Sequence, residues 1–343
     1  MTFKNKNFES ILKEIFKFVI EKYYQVPIDD RYKIFVHKKT SGVDSDVYLC
    51  KAYIRAMTPV CLYAKHGKDY EVLTKKEYDL MLSLWVKHYQ KEKYLCIPKP
   101  IYYSQDANIL FTERIDGITL AKFLHYKAAP ICWHIFHRKI MEHVKRAAIW
   151  LKSFHTITRQ PIKLSLESAL ENDLESLHQH QSACLSKELF EQSLSKLYKL
   201  AKNLNLLLHY KTGRHGDYSI DNIIVSHEKT SAIDFAQFNY GTPLYDVAKF
   251  MVLLDIYGNF IYHNTNFFRS LATVFLTTYN ESNRIVSFSE DDVKIYKPII
   301  LLHELKWTEL FEQELPSKNP FLRYTIYRIN KYAIKELKNF IGK

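Results

Sequence analysis

Residues 213–248 read GRHGDYSIDNIIVSHEKTSAIDFAQFNYGTPLYDVA. This stretch places His215, Asp217 and Asn222 in the pattern H-x-D-x-x-x-x-N. A short apolar run, Ile223–Val225, follows, and a second apolar approach, Ala232-Ile233, leads to Asp234 and Phe235. Gly241 and Pro243 punctuate the chain ahead of Asp246. Short apolar runs separated by polar turns predict a loop, a strand, a turn and a second strand. Asp217, Asn222 and Asp234 would then sit on rigid elements.

Those residue types suit phosphoryl transfer, which needs positioning and charge neutralisation more than covalent chemistry. One carboxylate must meet the acceptor hydroxyl, and Asp217 fits that role. A hard cation on the nucleotide needs oxygen ligands, which Asn222 and Asp234 supply. The segment resembles the catalytic centre of the kinase-like phosphotransferases. Its His-Gly-Asp opening is closer to the aminoglycoside phosphotransferase and choline kinase branch than to protein kinases. Protein kinases carry H-R-D-L-x-x-x-N followed by D-F-G, whereas this chain has Gly216 for the Arg and Ile233-Asp234-Phe235-Ala236 around the second carboxylate.

The resemblance implies a bilobal α+β protein-kinase-like fold, with a small antiparallel β lobe and a larger, mostly helical lobe. It implies a nucleotide-binding lobe over 1–115 and a helical lobe over 116–343. The catalytic loop is expected at 213–222 and the metal-binding segment at 232–246. Asp217 is the expected catalytic base, Asn222 and Asp234 hold Mg²⁺, and ATP is the phosphoryl donor. His215, Asp246 and His155 are expected to support the loop structurally.

Earlier in the chain, Phe8, Ile11, Leu12, Ile15, Phe16, Val19, Ile20 and Tyr23 recur at helical spacing and predict an amphipathic helix over 8–24. Strands are expected at Tyr32–His37 and Val47–Ile54, around the turn Lys38–Asp46 (KKTSGVDSD). In such a lobe this turn covers the nucleotide phosphates, with Ser41, Gly42 and Ser45 as contacts. A third strand, Val60–Lys65, ends at a lysine, and a helix from about Val72 to His88 carries Glu77. By resemblance Lys65 contacts the phosphates and Glu77 holds it, with Glu71 the competing partner. Glu113-Arg114-Ile115-Asp116-Gly117 resembles the hinge, where the backbone at Glu113 and Ile115 reads the adenine edge.

Helical patterning dominates the remainder. Residues 165–210 are expected to add two or three helices that shape the acceptor site. Their acidic residues Glu167, Glu171, Asp173 and Glu175 read either as a solvated face or as a receptor for a cationic substrate. Helices are expected at Pro243–Tyr257, Phe267–Tyr279, Glu290–Glu314 and Phe321–Phe340.

The 343 residues are 47% hydrophobic and 25% charged, ordinary globular values, and 25 Tyr and 21 Phe promise a substantial core. Five scattered cysteines without a C-x-x-C pair argue against a zinc site or a disulfide frame. Charges throughout the N-terminus and the lack of a long apolar run point to the cytoplasm. The net charge of +12 favours an anionic partner. It favours a sugar or cell-surface glycan precursor as acceptor over a cationic antibiotic, with aminoglycosides, choline and ethanolamine remaining open. Arg323, Arg328, Lys331, Lys335, Lys338 and Lys343 against Glu336 mark a basic C-terminal helix. That helix is either a solvated surface or a contact with anionic lipid at the inner face of the membrane. No nucleic-acid module is present. A catalytically silent nucleotide- or partner-binding protein is the alternative reading.

Overall fold

The computed structural model describes residues 7–26, 32–41, 44–54, 58–68, 71–87, 95–127, 133–178, 182–203, 208–260, 264–281, 287–314 and 320–342. The chain forms two compact units. The first is Met1–Asp116 together with Ile233–Ala236, and the second is Gly117–Ala232 with Gln237–Lys343.

The first unit is built on one five-stranded antiparallel sheet of order β1-β2-β3-β5-β4. Its strands are β1 (Lys33–Ser41), β2 (Ser45–Tyr53), β3 (Val60–Gly67), β4 (Pro100–Ser104) and β5 (Ile109–Glu113). Helix α1 (Phe8–Tyr23) starts at Asn7, whose side chain accepts from the Glu9 amide, and stops before Gln25, which takes a left-handed φ of 53°. It buries Leu12, Ile15, Phe16, Val19 and Ile20 against Cys50, Ala52, Leu62, Ala64, Ile109 and Phe111. That is the predicted amphipathic helix, and its apolar stripe covers one sheet face. Five such side chains contribute on the order of 10 kcal/mol of gross burial energy.

Strand side chains alternate between faces, so Lys65, next to Ala64, projects from the face opposite α1. Helix α2 (Glu71–Lys87) turns Thr74, Glu77, Met81 and Leu84 inward at three- and four-residue spacing. A lone carboxylate thus lies in a stripe that otherwise packs.

Several boundaries differ from the sequence reading. The predicted turn Lys38–Asp46 is mostly strand, because β1 pairs with β2 as far as Ser41↔Asp46. A register shift between Lys38 and Thr40 absorbs the irregularity, and Lys38 pairs with Asp46 across the hairpin at 2.7 Å. Lys65 does not end β3, since pairing continues to Ser45↔Gly67. Gly42 lies outside the described residues.

The second unit begins with β6 (Ile118–Thr119) and continues with α3 (Leu120–Lys127) and α4 (Trp133–Ile157). Then come β7 (Lys163–Ser165), α5 (Leu166–His178), α6 (Lys187–Asn203), β8 (Leu208–Tyr210) and β9 (Thr212–Arg214). Strands β10 (Ile223–Val225), β11 (Thr230–Ala232) and β12 (Asn239–Gly241) lead to α7 (Leu244–Phe260), α8 (Thr265–Asn280), α9 (Glu290–Glu314) and α10 (Pro320–Ile341). The small strands form ribbons β11-β10-β6, β12-β9 and β7-β8. An aromatic column fills the core. Trp150 stacks on Tyr218 at 5.6 Å, Tyr218 meets Phe250 at 5.8 Å, and Phe250 stacks on Phe275 at 4.1 Å.

Among the described residues no helix is long and apolar enough to cross a membrane. Cys50, Cys61, Cys96 and Cys184 are free thiols, of which only Cys50 is buried.

Candidate active site

In the first unit three charged groups meet. Lys65 Nζ lies 2.8 Å from Glu77 Oε2 and 2.6 Å from Asp234 Oδ1. Burial disfavours the ammonium, but the Asp234 and Glu77 carboxylates outweigh it and hold Lys65 protonated well above the ordinary range. Glu77 also accepts the Phe235 amide at 2.9 Å on its other oxygen. It therefore ties β3 to the segment carrying Asp234. Asp234 adopts a left-handed φ of 66°, a conformation that Asp tolerates better than most residues. Its side chain is 43% exposed, and Oδ1 is the oxygen that Lys65 occupies.

In the second unit Tyr218 anchors the loop around Asp217. Its ring is fully buried and its hydroxyl donates to the Ala147 carbonyl at 2.7 Å. Gly216 has φ +81°, and a Cβ there would stand 2.3 Å from the Gln237 carbonyl oxygen. Gly is thus the residue this turn admits, which explains the His-Gly-Asp opening.

Asp246, in the first turn of α7, accepts the His215 amide at 2.7 Å and the Gly216 amide at 3.0 Å. The His155 Nε2–H donates to the same carboxylate at 3.1 Å, and the Tyr279 hydroxyl lies 2.8 Å from His155 Nδ1. Burial raises the cost of the Asp246 charge, but the His155 hydrogen bond and the surrounding donors hold its carboxyl below the usual range. The His215 ring packs among Trp150, Phe154 and Tyr218. These contacts bind three segments distant in sequence to the loop backbone.

The Asn222 side-chain amide donates to Asp217 Oδ2 at 2.6 Å and to the Asp217 carbonyl at 3.0 Å. Lys249 Nζ sits 2.7 Å from Asp217 Oδ1 and 3.6 Å from Glu304 Oε1. Burial works against the Asp217 charge, and the Lys249 ammonium more than compensates, so its carboxyl stays below the ordinary range. Asp221 still reaches solvent, yet lost hydration and then the Asp217 and Glu304 charges push it up to about 6. Two carboxylates, Asp217 and Glu304, therefore flank one ammonium.

Lys249 and Glu304 were missing from the sequence reading. The available signals were a single cation and a single acid inside apolar helical runs (DVAKFMVLL and IILLHELKW), which require a partner when buried. Asp173 corrects the expected acidic face. It is buried, Arg214 Nη1 donates to its two oxygens at 2.8 and 3.0 Å, and the Tyr296 hydroxyl donates at 3.3 Å. Its charge is spent on holding α5 against β9.

Of the remaining expected contacts, Ser41 closes β1 and Ser45 opens β2. The Glu113 amide donates to the Lys99 carbonyl at 2.9 Å, so it is not available to an adenine edge. Ile115 lies past the end of β5, outside any strand.

The family model described as the phosphotransferase enzyme family (APH) matches residues 42–266, a span that holds Lys65, Glu77, Asp217, Asn222, Asp234 and Asp246. Among curated proteins no sequence match reaches significance. Among solved structures, choline kinase from Cryptosporidium parvum is 16% identical with a TM-score of 0.61, covering 97% of this chain and 98% of that one. Plasmodium vivax ethanolamine kinase is 15% identical with a TM-score of 0.56, covering 96% and 89%. A thermostable mutant of aminoglycoside phosphotransferase APH(4)-Ia is 14% identical with a TM-score of 0.56, covering 93% and 98%. These likenesses show a protein-kinase-like fold with an antiparallel sheet lobe and a larger helical lobe. On the extent of the family match, the chain belongs to the phosphotransferase enzyme family.

Proposed function

We propose that the protein transfers the γ-phosphoryl group of ATP to a hydroxyl of a small molecule or of a sugar, including a cell-surface glycan precursor. The observation that supports this most is Lys65, held 2.8 Å from Glu77 and 2.6 Å from Asp234. An ammonium fixed between two carboxylates on a strand is positioned to receive phosphate oxygens.

In this reading Lys65 binds the α- and β-phosphates, and Ser41 and Ser45 contact them from the hairpin, together with the Gly42 backbone that the resemblance assigns to them. The Glu113 carbonyl and the Ile115 backbone read the adenine. The acceptor hydroxyl oxygen bonds to the γ-phosphorus as the bond from phosphorus to the β,γ-bridging oxygen breaks. ADP leaves with that electron pair, and the hydroxyl proton passes to Asp217. A carboxylate beside an ammonium is a weak base, which suits a loose transition state that sheds its proton late.

Asn222 and Asp234 each offer an oxygen of the kind Mg²⁺ takes. Asn222 spends its amide N–H groups on Asp217, which leaves Oδ1 as an oxygen ligand. Asp234 gives one oxygen to Lys65, which leaves the other for a hard cation. When bound, the ion would neutralise charge on the phosphates. His215, Asp246 and His155 act by holding the loop. A cytoplasmic location, where ATP is abundant, is part of this proposal.

A second reading has a specific support. Asp217 and Glu304 set two carboxylates against the one Lys249 ammonium, and both charges also reach the Asp221 carboxyl; this local balance favours a cationic acceptor such as an amino alcohol or an aminoglycoside over a neutral sugar.

The test is Mg²⁺-dependent ADP release from ATP by the wild type and Asp217→Asn, across sugars, glycan precursors, amino alcohols and aminoglycosides. Release stimulated by one acceptor class and lost in the variant is expected and names the class. Nucleotide binding with no release for any acceptor would move the assignment to a silent binding protein.

A further inference from the structure

Helix α10 has two faces of different chemistry. Ile326, Ala333 and Leu337 are buried, and Asn330 on the same face accepts from the Thr308 hydroxyl of α9 at 2.6 Å. That face is spent on packing. The neighbouring stripe, Tyr324, Tyr327, Arg328, Lys331 and Lys335, recurs at three- and four-residue spacing and lines a cavity of about 590 Å³. Helix α8 adds Arg269, α9 adds Lys297, and α7 adds Asp255 and Asn259.

The cavity carries five cationic side chains against two carboxylates, Asp255 and Glu336. Both carboxylates are already committed. Lys297 Nζ lies 2.9 Å from Asp255 and 2.7 Å from Glu336, and the Tyr332 hydroxyl donates to Asp255. Arg328 Nη1 donates to the Tyr324 hydroxyl at 2.9 Å. Among the described residues no carboxylate pairs with Arg269, Lys331 or Lys335. Surplus like charge around a concave wall repels itself and is relieved by a bound anion. Guanidinium and ammonium donors from separate helices suit the tetrahedral oxygens of a phosphate. The volume falls within the ~300–1,000 Å³ of small-molecule sites, so the phosphate would carry an attached group.

This cavity is separate from the Asp217 loop. Asp255 lies six residues along α7 from Lys249, about 9 Å of helix at ~1.5 Å per residue.

We propose that the cavity between α7, α8, α9 and α10 binds a phosphate-bearing anion, presented either by a soluble phosphomonoester or by a phospholipid headgroup. The site stands whether or not the catalytic reading holds, because it shares no residue with it.

The experiment compares the full chain with an Arg269→Ala/Lys331→Ala/Lys335→Ala variant. These three side chains are exposed, so circular dichroism and melting temperature should be unchanged. One arm titrates glucose 6-phosphate, with glucose as the uncharged control, by calorimetry. The other sediments the protein with phosphatidylcholine vesicles, alone or with about a third phosphatidylglycerol. The wild type should bind in one arm, through the phosphate, and the triple variant should bind about tenfold or more weakly. Lys331→Arg/Lys335→Arg should bind like the wild type. If the triple variant fails to fold, Lys335→Glu alone gives the same readout. Wild-type binding in neither arm, or equal binding by the charge-removing variants, overturns the proposal.

Discussion

Lys249 Nζ lies 2.7 Å from Asp217 Oδ1 and 3.6 Å from Glu304 Oε1, with the lysine side chain only 3% exposed. A buried ammonium between two carboxylates is costly to remove, because each acid then loses the charge that offset its desolvation. Lys249→Met should lower stability by about 3 kcal/mol or more in urea unfolding. Adding Glu304→Gln should restore part of that loss. Under the proposed reaction, turnover in Lys249→Met should fall about a hundredfold while nucleotide affinity changes little. A Lys249→Met protein as stable as the wild type would show that the pair contributes nothing to the fold.

Lys65 and Asp217 should separate kinetically. Lys65→Ala should lower kcat/KM for ATP about a hundredfold and weaken nucleotide binding, since it removes a phosphate contact. Asp217→Asn should abolish ADP release while leaving equilibrium nucleotide binding within about twofold. Loss of nucleotide binding in Asp217→Asn would remove Asp217 from the base role.

Gly216→Ala forces a side chain into a left-handed conformation, with its Cβ 2.3 Å from the Gln237 carbonyl oxygen. The backbone term alone costs about 1–3 kcal/mol, and the clash adds to it. Thermal unfolding should show a lower melting temperature. Wild-type stability in this variant would mean that the turn relaxes freely.

His143 gives the fold a specific acid sensitivity. It is 3% exposed on α4, its ring stands edge-on to Phe123 at 4.7 Å, and its Nδ1 has no hydrogen-bond partner among the described residues. Burial, helped by Arg146 and Lys139 and opposed by Glu142, lowers its pKa from 6.5 to about 4. The unfolded chain takes up a proton as pH falls below 6.5 and the folded chain does not, so stability is lost from there down to about 4. The loss between pH 7 and pH 5 should be about 2 kcal/mol. Denaturant titrations of His143→Phe should show a correspondingly flatter pH profile. Parallel profiles for the two proteins would mean that His143 is protonated in the folded state.

The parts of this protein legible in the sequence are those written in local spacing. The stripe from Leu12 to Ile20 specifies α1, and the limits Glu290–Glu314 of α9 follow from helical periodicity. The H-x-D-x-x-x-x-N spacing places Asp217 and Asn222 within hydrogen-bonding distance because one loop carries both. Strand ends were less legible. The turn residues of KKTSGVDSD favour a loop locally, but eight cross-strand partners carry β1 on to Ser41.

Period and spacing say which face a residue occupies, and tertiary structure alone decides which side chain it meets there. Lys65 and Asp234 are 169 positions apart, Asp173 and Arg214 41 apart, and His155 and Asp246 91 apart. Each pair meets because the apolar faces of its supporting elements dock in one register. The fixed charges must then find opposite partners, since a buried charge without one is too costly to keep. Asp173 could thus read as an acidic surface in the sequence and yet be a buried anchor. Lys249, silent in any motif, came to rest against the carboxylate that the motif singled out.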